Sequence, residues 1–137
     1  MGRKLAIDFG LKRTGLAITD TSNIIASPLE TVNSGDLMAR LKVLVEQNQL
    51  DTFVLGLPKN LDNTDTDITQ NVYFLKEALD KQFPSVETVL LDERFTSKMA
   101  FSAMIAGGLS KKQRADKATI DKVSAAILLQ NYLDARF

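Results

Sequence analysis

Residues 52–58, TFVLGLP, form an unbroken apolar run directly after a segment of helical periodicity, and this pairing restricts the fold more than any other feature of the chain. The run has the length of a strand, and its continuous apolarity predicts a strand buried on both faces. Before it, Leu37, Leu41, Leu44 and Val45 recur at helical spacing, from a start near Ser34 to Asp36 to about Gln49. That helix supplies the crossover a parallel neighbour requires.

The other elements follow from the same reasoning. Residues 3–9 and 14–20 read as strands joined by a short GLKR connection of hairpin type, and a third run, Ile24 to Val32, carries Pro28, which suits an edge strand or a bulge. After the polar loop PKNLDNTDT, a second helix shows Ile68, Val72, Leu75, Leu79 and Phe83 on one stripe and closes at Pro84. VETVLLDE is the fifth strand. Thr96 or Ser97 caps a third helix, KMAFSAMIA, ended by Gly107 and Gly108, and a last helix runs from about Thr119 to Ala135. The order predicts one α/β domain over residues 1–137, with an antiparallel three-strand meander plus two parallel strands in a mixed five-stranded sheet and helices on both faces.

Composition narrows the chemistry by exclusion. With no cysteine and no histidine, thiol nucleophiles, Cys-type zinc sites, Ser-His-Asp triads and HExxH sites are all impossible. The start MGRKLAIDFG has too short an apolar run for a signal peptide, and no stretch approaches a membrane span, so a cytoplasmic protein without membrane association is expected. Lys+Arg and Asp+Glu balance at 17 each. A nucleic-acid partner would therefore be held by a local basic patch, not by overall charge.

Asp8 interrupts the apolar run Leu5, Ala6, Ile7 and Phe9 in a strand expected to be central. Burying an unpaired carboxylate costs on the order of several kcal/mol, so a metal, a cation or several donors should stand beside it. The plainer alternative is a turn-capping Asp before Gly10. Asp92 and Glu93 close the fifth strand, where open α/β sheets place ligands, and strand alternation turns them to opposite sides. Asp121 falls in the first turn of the predicted last helix, where a carboxylate also favours the positive dipole end. Yet Ala125, Leu128, Leu129 and Tyr132 follow on its side, so it begins an otherwise apolar, inward-facing stripe.

Acids from the first strand, the last strand and the final helix would supply hard oxygen ligands suited to Mg²⁺ or Mn²⁺ and to phosphoryl chemistry without histidine. Lys12 and Arg13 follow Asp8 directly, while Lys111, Lys112, Arg114, Lys117 and Lys122 cluster around the start of the last helix. Both groups are candidates for gripping a phosphate backbone, against the plain reading of solvated loop and helix-face charge. No aromatic residues interleave with them, which gives no support to a base-stacking platform.

The blocks AIDFGLKRTGLAITD, VLGLPKNLDNT, LLDERFTSKMA and IDKVSAAILLQNYLD, in this order, resemble the YqgF (RuvX) family of RNase H-like proteins, described as candidate nucleases of pre-16S rRNA and candidate Holliday junction resolvases. The resemblance covers essentially the whole chain. It implies an RNase H-like fold, places the family's acidic triad on Asp8, Glu93 and Asp121, and selects Glu93 over Asp92. It also implies that Arg13, Gly15, Gly56, Pro58, Arg94 and Thr96 shape the site or contact substrate. Asn63, Thr19 and Ser97 depart from the family's usual residues. Junction resolvases of this fold carry four acids, two of them on the last helix, whereas here Asp116 stands about 140° around the helix from Asp121.

The expected function is a metal-dependent nuclease, with 5′-end processing of pre-16S rRNA favoured over junction resolution and a monomer or weak homodimer as the active form. A nucleotide-binding ATPase is a second class, because DFG followed by TG resembles the phosphate loop of the actin and sugar-kinase superfamily. Those proteins bind nucleotide between two such domains, and this chain holds one. A third class is a non-catalytic RNA-binding or ribosome-assembly factor.

Overall fold

A computed structural model describes residues 2–58, 62, 64–92 and 116–135. Its elements are β1 (Arg3–Asp8), β2 (Arg13–Thr19), β3 (Ala26–Asn33), a 3₁₀ turn at Ser34–Asp36, α1 (Leu37–Asn48), β4 (Leu50–Leu57), α2 (Thr69–Gln82), β5 (Glu87–Asp92) and α3 (Lys117–Ala135). The strands form one sheet in the order β3-β2-β1-β4-β5. β1 pairs antiparallel with β2 and parallel with β4, β2 antiparallel with β3, and β4 parallel with β5. This is the expected meander plus two parallel strands. The expected third helix, residues 98–106, lies outside the described residues.

The uninterrupted apolarity of β4 follows from its place between β1 and β5, with Thr52 through Gly56 buried. Pro28 fits because β3 is the edge strand and because the β2–β3 register shifts there: Leu16 pairs with Glu30 but Ala17 with Pro28, leaving Leu29 as the extra residue of a bulge. α1 ends at Gln49, which takes the left-handed conformation at φ 51° and turns the chain straight into β4.

Alternation along the strands separates two apolar layers. Leu5, Ile7, Leu16, Ile18, Phe53 and Leu55 point to one face, where α1 contributes Leu37, Leu41 and Leu44 and α2 contributes Val72 and Leu79. Phe83, at the end of the α2 stripe, meets Phe53 edge to face with ring centroids 5.5 Å apart. Ala6, Ala17 and Val54 point to the other face and receive Ala125, Leu128 and Leu129 of α3, with Leu91 and Tyr132 at the margin. Small sheet residues let α3 settle close over β1, β2 and β3. Two corrections concern this helix. It begins at Lys117, not near Thr119, so Asp121 stands in its second turn and the first turn holds no acid. The favourable interaction of a carboxylate with a helix amino terminus falls off within the first turn, so it does not account for Asp121.

Candidate active site

The parallel strands β1, β4 and β5 all end on the same edge of the sheet, and β2 starts there. Asp8 is the last residue of β1, and on this edge it pairs with Gly15 of β2, which in turn pairs with Thr31 of β3. Asp8 shares its side of the strand with Ala6, and Gly15 shares its side with Ala17, so the row Asp8, Gly15, Thr31 lies on the α3 face. Asp8 is half-buried.

This row is what holds the beginning of α3. The Thr31 hydroxyl donates to the carbonyl of Ala118. A β-carbon at Gly15 would stand 2.0 Å from the carbonyl oxygen of Asp121, so only a glycine admits the helix backbone at this distance. With paired antiparallel α-carbons about 5 Å apart, the backbones at Asp8 and Asp121 come within about 9 Å of each other. Arg13, the next residue of β2 on the α3 face, donates from Nε to Asp121 Oδ2 at 3.0 Å. The ion pair is single-pronged and open to water, with side-chain exposures of 36% for Arg13 and 26% for Asp121. Such a pair contributes about 0.2–1 kcal/mol.

Ser34, which sequence patterning marked only as a helix start, organises the loop after Asp8. Its amide donates to the Lys12 carbonyl at 2.9 Å, its hydroxyl donates to the Gly10 carbonyl, and that hydroxyl also lies 2.8 Å from Thr14 Oγ1. Gly10 is required in this loop, since a β-carbon there would meet the Arg13 carbonyl oxygen at 2.5 Å. Lys12 is thus presented to solvent beside Asp8 by a tethered loop. Beyond β4, the Thr69 hydroxyl donates to the Pro58 carbonyl at 2.8 Å and accepts from the Thr66 amide at 2.7 Å, tying that strand end to the start of α2.

Asp92 pairs with Leu57 and alternates with Leu91, so it shares the α1–α2 side of the sheet, away from Asp8 and Asp121. Asp116 is committed to starting α3: its carboxylate accepts from the Ala118 amide at 3.3 Å and from the Thr119 hydroxyl at 2.9 Å. Glu93, Arg94, Thr96, Lys111, Lys112 and Arg114 lie outside the described residues. Among the described residues no three acidic side chains gather into a metal-binding group. The pair that does share an edge, Asp8 and Asp121, offers the hard carboxylate oxygens that Mg²⁺ and Mn²⁺ take while retaining several waters. A groove of about 450 Å³ between Lys4, Asp51, Thr52, Ser85, Glu87 and Tyr132 lies at the opposite end of the strands, remote from this edge. Among the described residues no helix is long and apolar enough to cross a membrane.

Comparison with known proteins agrees with this architecture. Residues 2–135 match the family model described as "RuvX: Holliday junction resolvase". A protein of Amoebophilus asiaticus named "Putative pre-16S rRNA nuclease" is 42% identical over 98% of this chain and 96% of its own length. One of Christiangramia forsetii with the same name is 45% identical over 97% of this chain and 98% of its own. Among solved structures, Thermus thermophilus RuvC in complex with a Holliday junction substrate superposes with a TM-score of 0.60 at 18% identity, covering 98% of this chain and 95% of RuvC. The large terminase nuclease of phage G20c superposes with a TM-score of 0.56 at 17% identity, covering 95% and 80%. At those identities the likeness shows the fold, which is RNase H-like, while the family match and the relatives above 40% identity establish that the chain belongs to the RuvX family.

Proposed function

We propose that this chain is a metal-dependent nuclease that hydrolyses phosphodiesters of structured nucleic acid, and that its substrate is the 5′ region of pre-16S rRNA, processed in the cytoplasm by a monomer or weak homodimer. The observation that carries the reading is the placement of Asp8 and Asp121, from elements more than a hundred residues apart, on one face of one sheet edge. Neither acid is needed to pack the core, which favours catalysis over a purely structural assembly role.

In this proposal Asp8, Glu93 and Asp121 hold Mg²⁺ or Mn²⁺. Glu93 is preferred over Asp92 because Asp92 shares the opposite side of the sheet with Leu57. When bound, the ion would polarise a phosphoryl oxygen and generate a nucleophilic water near neutral pH. The remaining work falls to the chain: Lys12 on its tethered loop and Arg13 at the start of β2, with Arg94, Thr96, Lys111, Lys112 and Arg114, grip the phosphate backbone and set its register on the acids. With no net charge to draw in a polyanion, these local cations must provide the attraction. The names of the relatives favour rRNA. The family description favours branched DNA as a second reading, and symmetric resolution of a junction requires a two-fold dimer.

The test compares structured pre-rRNA with four-way DNA junctions as substrates, each with Mg²⁺, Mn²⁺ or chelator. Cleavage of the RNA with metal and none with chelator is expected. In the same assay Asp8→Asn should abolish cleavage, while its melting temperature in chelator holds or rises, because repulsion from neighbouring carboxylates is relieved. A folded and fully active Asp8→Asn protein would sink the mechanism.

A further inference from the structure

We infer that Arg13 is an exchangeable counter-ion, which pairs with Asp121 and is released when a metal binds there to take a substrate phosphate, so that metal loading and nucleic-acid binding reinforce one another. The inference rests on the metal-site reading above. Arg13 reaches Asp121 through Nε alone, to one carboxylate oxygen, at 3.0 Å. An arginine held for stability more often uses its planar fork to grip both oxygens. Both partners also reach water, so solvent can replace either one as the pair opens.

The two partners are not equally free to move. The backbone carrying Asp121 is pressed against Gly15 and anchored through Ala118 to Thr31, so the carboxylate stays where the helix puts it. Arg13 opens β2 at the sheet edge, next to the exposed Lys12, on a side chain with several rotatable bonds. A divalent cation on Asp121 cancels the attraction that holds the guanidinium and repels it. The freed fork then presents two parallel N–H donors to a phosphate, the geometry in which arginine binds best. By linkage, a phosphate that captures Arg13 must in turn ease metal onto Asp121.

Mn²⁺ titrated calorimetrically into the full chain, with Arg13→Gln, Arg13→Lys and Asp121→Asn alongside, reads the first half of this exchange. Binding of a labelled RNA hairpin in Ca²⁺ against chelator reads the second. Arg13→Gln should bind Mn²⁺ more tightly than the unaltered chain, by about fivefold or more. It should also lose most of the gain in hairpin affinity that the divalent ion confers. Arg13→Lys, which keeps the charge but not the fork, should keep unaltered Mn²⁺ affinity and lose part of the gain, and melting curves check that each variant is folded. Unchanged Mn²⁺ affinity in Arg13→Gln, or an unchanged gain, overturns the exchange. If the unaltered chain binds Mn²⁺ and Asp121→Asn does not, such a result leaves the metal site standing; if neither binds, the metal site falls and the exchange with it.

Discussion

A β-carbon at Gly15 would lie 2.0 Å from the carbonyl oxygen of Asp121, 2.3 Å from its carbonyl carbon and 2.9 Å from the Lys122 amide. All three are backbone atoms of a packed helix, which cannot swing aside as a side-chain tip can. Gly15→Ala should therefore push the start of α3 off the sheet at a cost of about 1–3 kcal/mol. Because the displaced segment carries Asp121, cleavage should fall further than the loss of folded protein explains. Melting temperature and cleavage rate measured on one preparation separate the two effects, and an alanine variant with unaltered cleavage would show that the helix position does not matter to the site. At this scale Asp8 was legible because a carboxylate inside an apolar run calls for an explanation. Gly15 was marked only through the family resemblance, since its physical reason is an atom 106 positions away.

α3 joins the site to the core: its apolar stripe, Ala125, Leu128 and Leu129, lies on the sheet, and the turn before that stripe brings in Asp121. The helical period predicted that stripe without knowledge of the partner strands. The start of the helix was less legible, because Asp116 caps it through side-chain bonds and thereby sets Lys117 as its first residue. Asp116→Ala should lower stability by about 1 kcal/mol, within the usual range for losing such a cap. Cleavage per folded molecule should be retained. Loss of cleavage in a protein whose melting is unaltered would instead make Asp116 a metal ligand and reverse its assignment as a cap.

Over the whole molecule, folding lowers several carboxyl pKa values through pairs and loops other than the Arg13–Asp121 pair at the sheet edge. At the other end of β1 and β4, Lys4 is 4% exposed and its ammonium lies 3.0 Å from Asp51 Oδ1. Burial raises the Asp51 pKa, but hydrogen bonds from Lys4 and Thr52, the Lys4 charge and the Gly2 amide together outweigh it and leave the carboxyl below its ordinary value of 3.8. Asp20 is lowered by the amides of Ile25 and Ile24, and Asp62 by the Thr64 hydroxyl and amide. For carboxyls lowered by folding, the contribution to stability is complete above the ordinary range and is lost as pH falls below 3.8 toward the folded value. Melting temperature followed from pH 7 downward should therefore drop on the acid side. Asp51→Asn should flatten that limb without removing it, because Asp20 and Asp62 remain. An acid limb identical to that of the unaltered chain would show that Asp51 carries none of it.

Local chemistry and period were enough to determine the order of the described elements, the mixed sheet, a third strand suited by Pro28 to an edge or a bulge, and the two-sided burial of β4, and they singled out Asp8 and Asp121 as acids that call for an explanation. Each of these follows from alternation, helical period or the incongruity of one residue among its neighbours, all of which are properties of short stretches of chain. Only the tertiary structure decided that Arg13 holds Asp121 across 108 positions, that Thr31 anchors Ala118, that Ser34 tethers the loop bearing Lys12, and that Lys4 is buried against Asp51. Those partners meet because the sheet order and register bring distant segments within hydrogen-bond reach, and a short-range pattern carries no information about which distant residue will arrive.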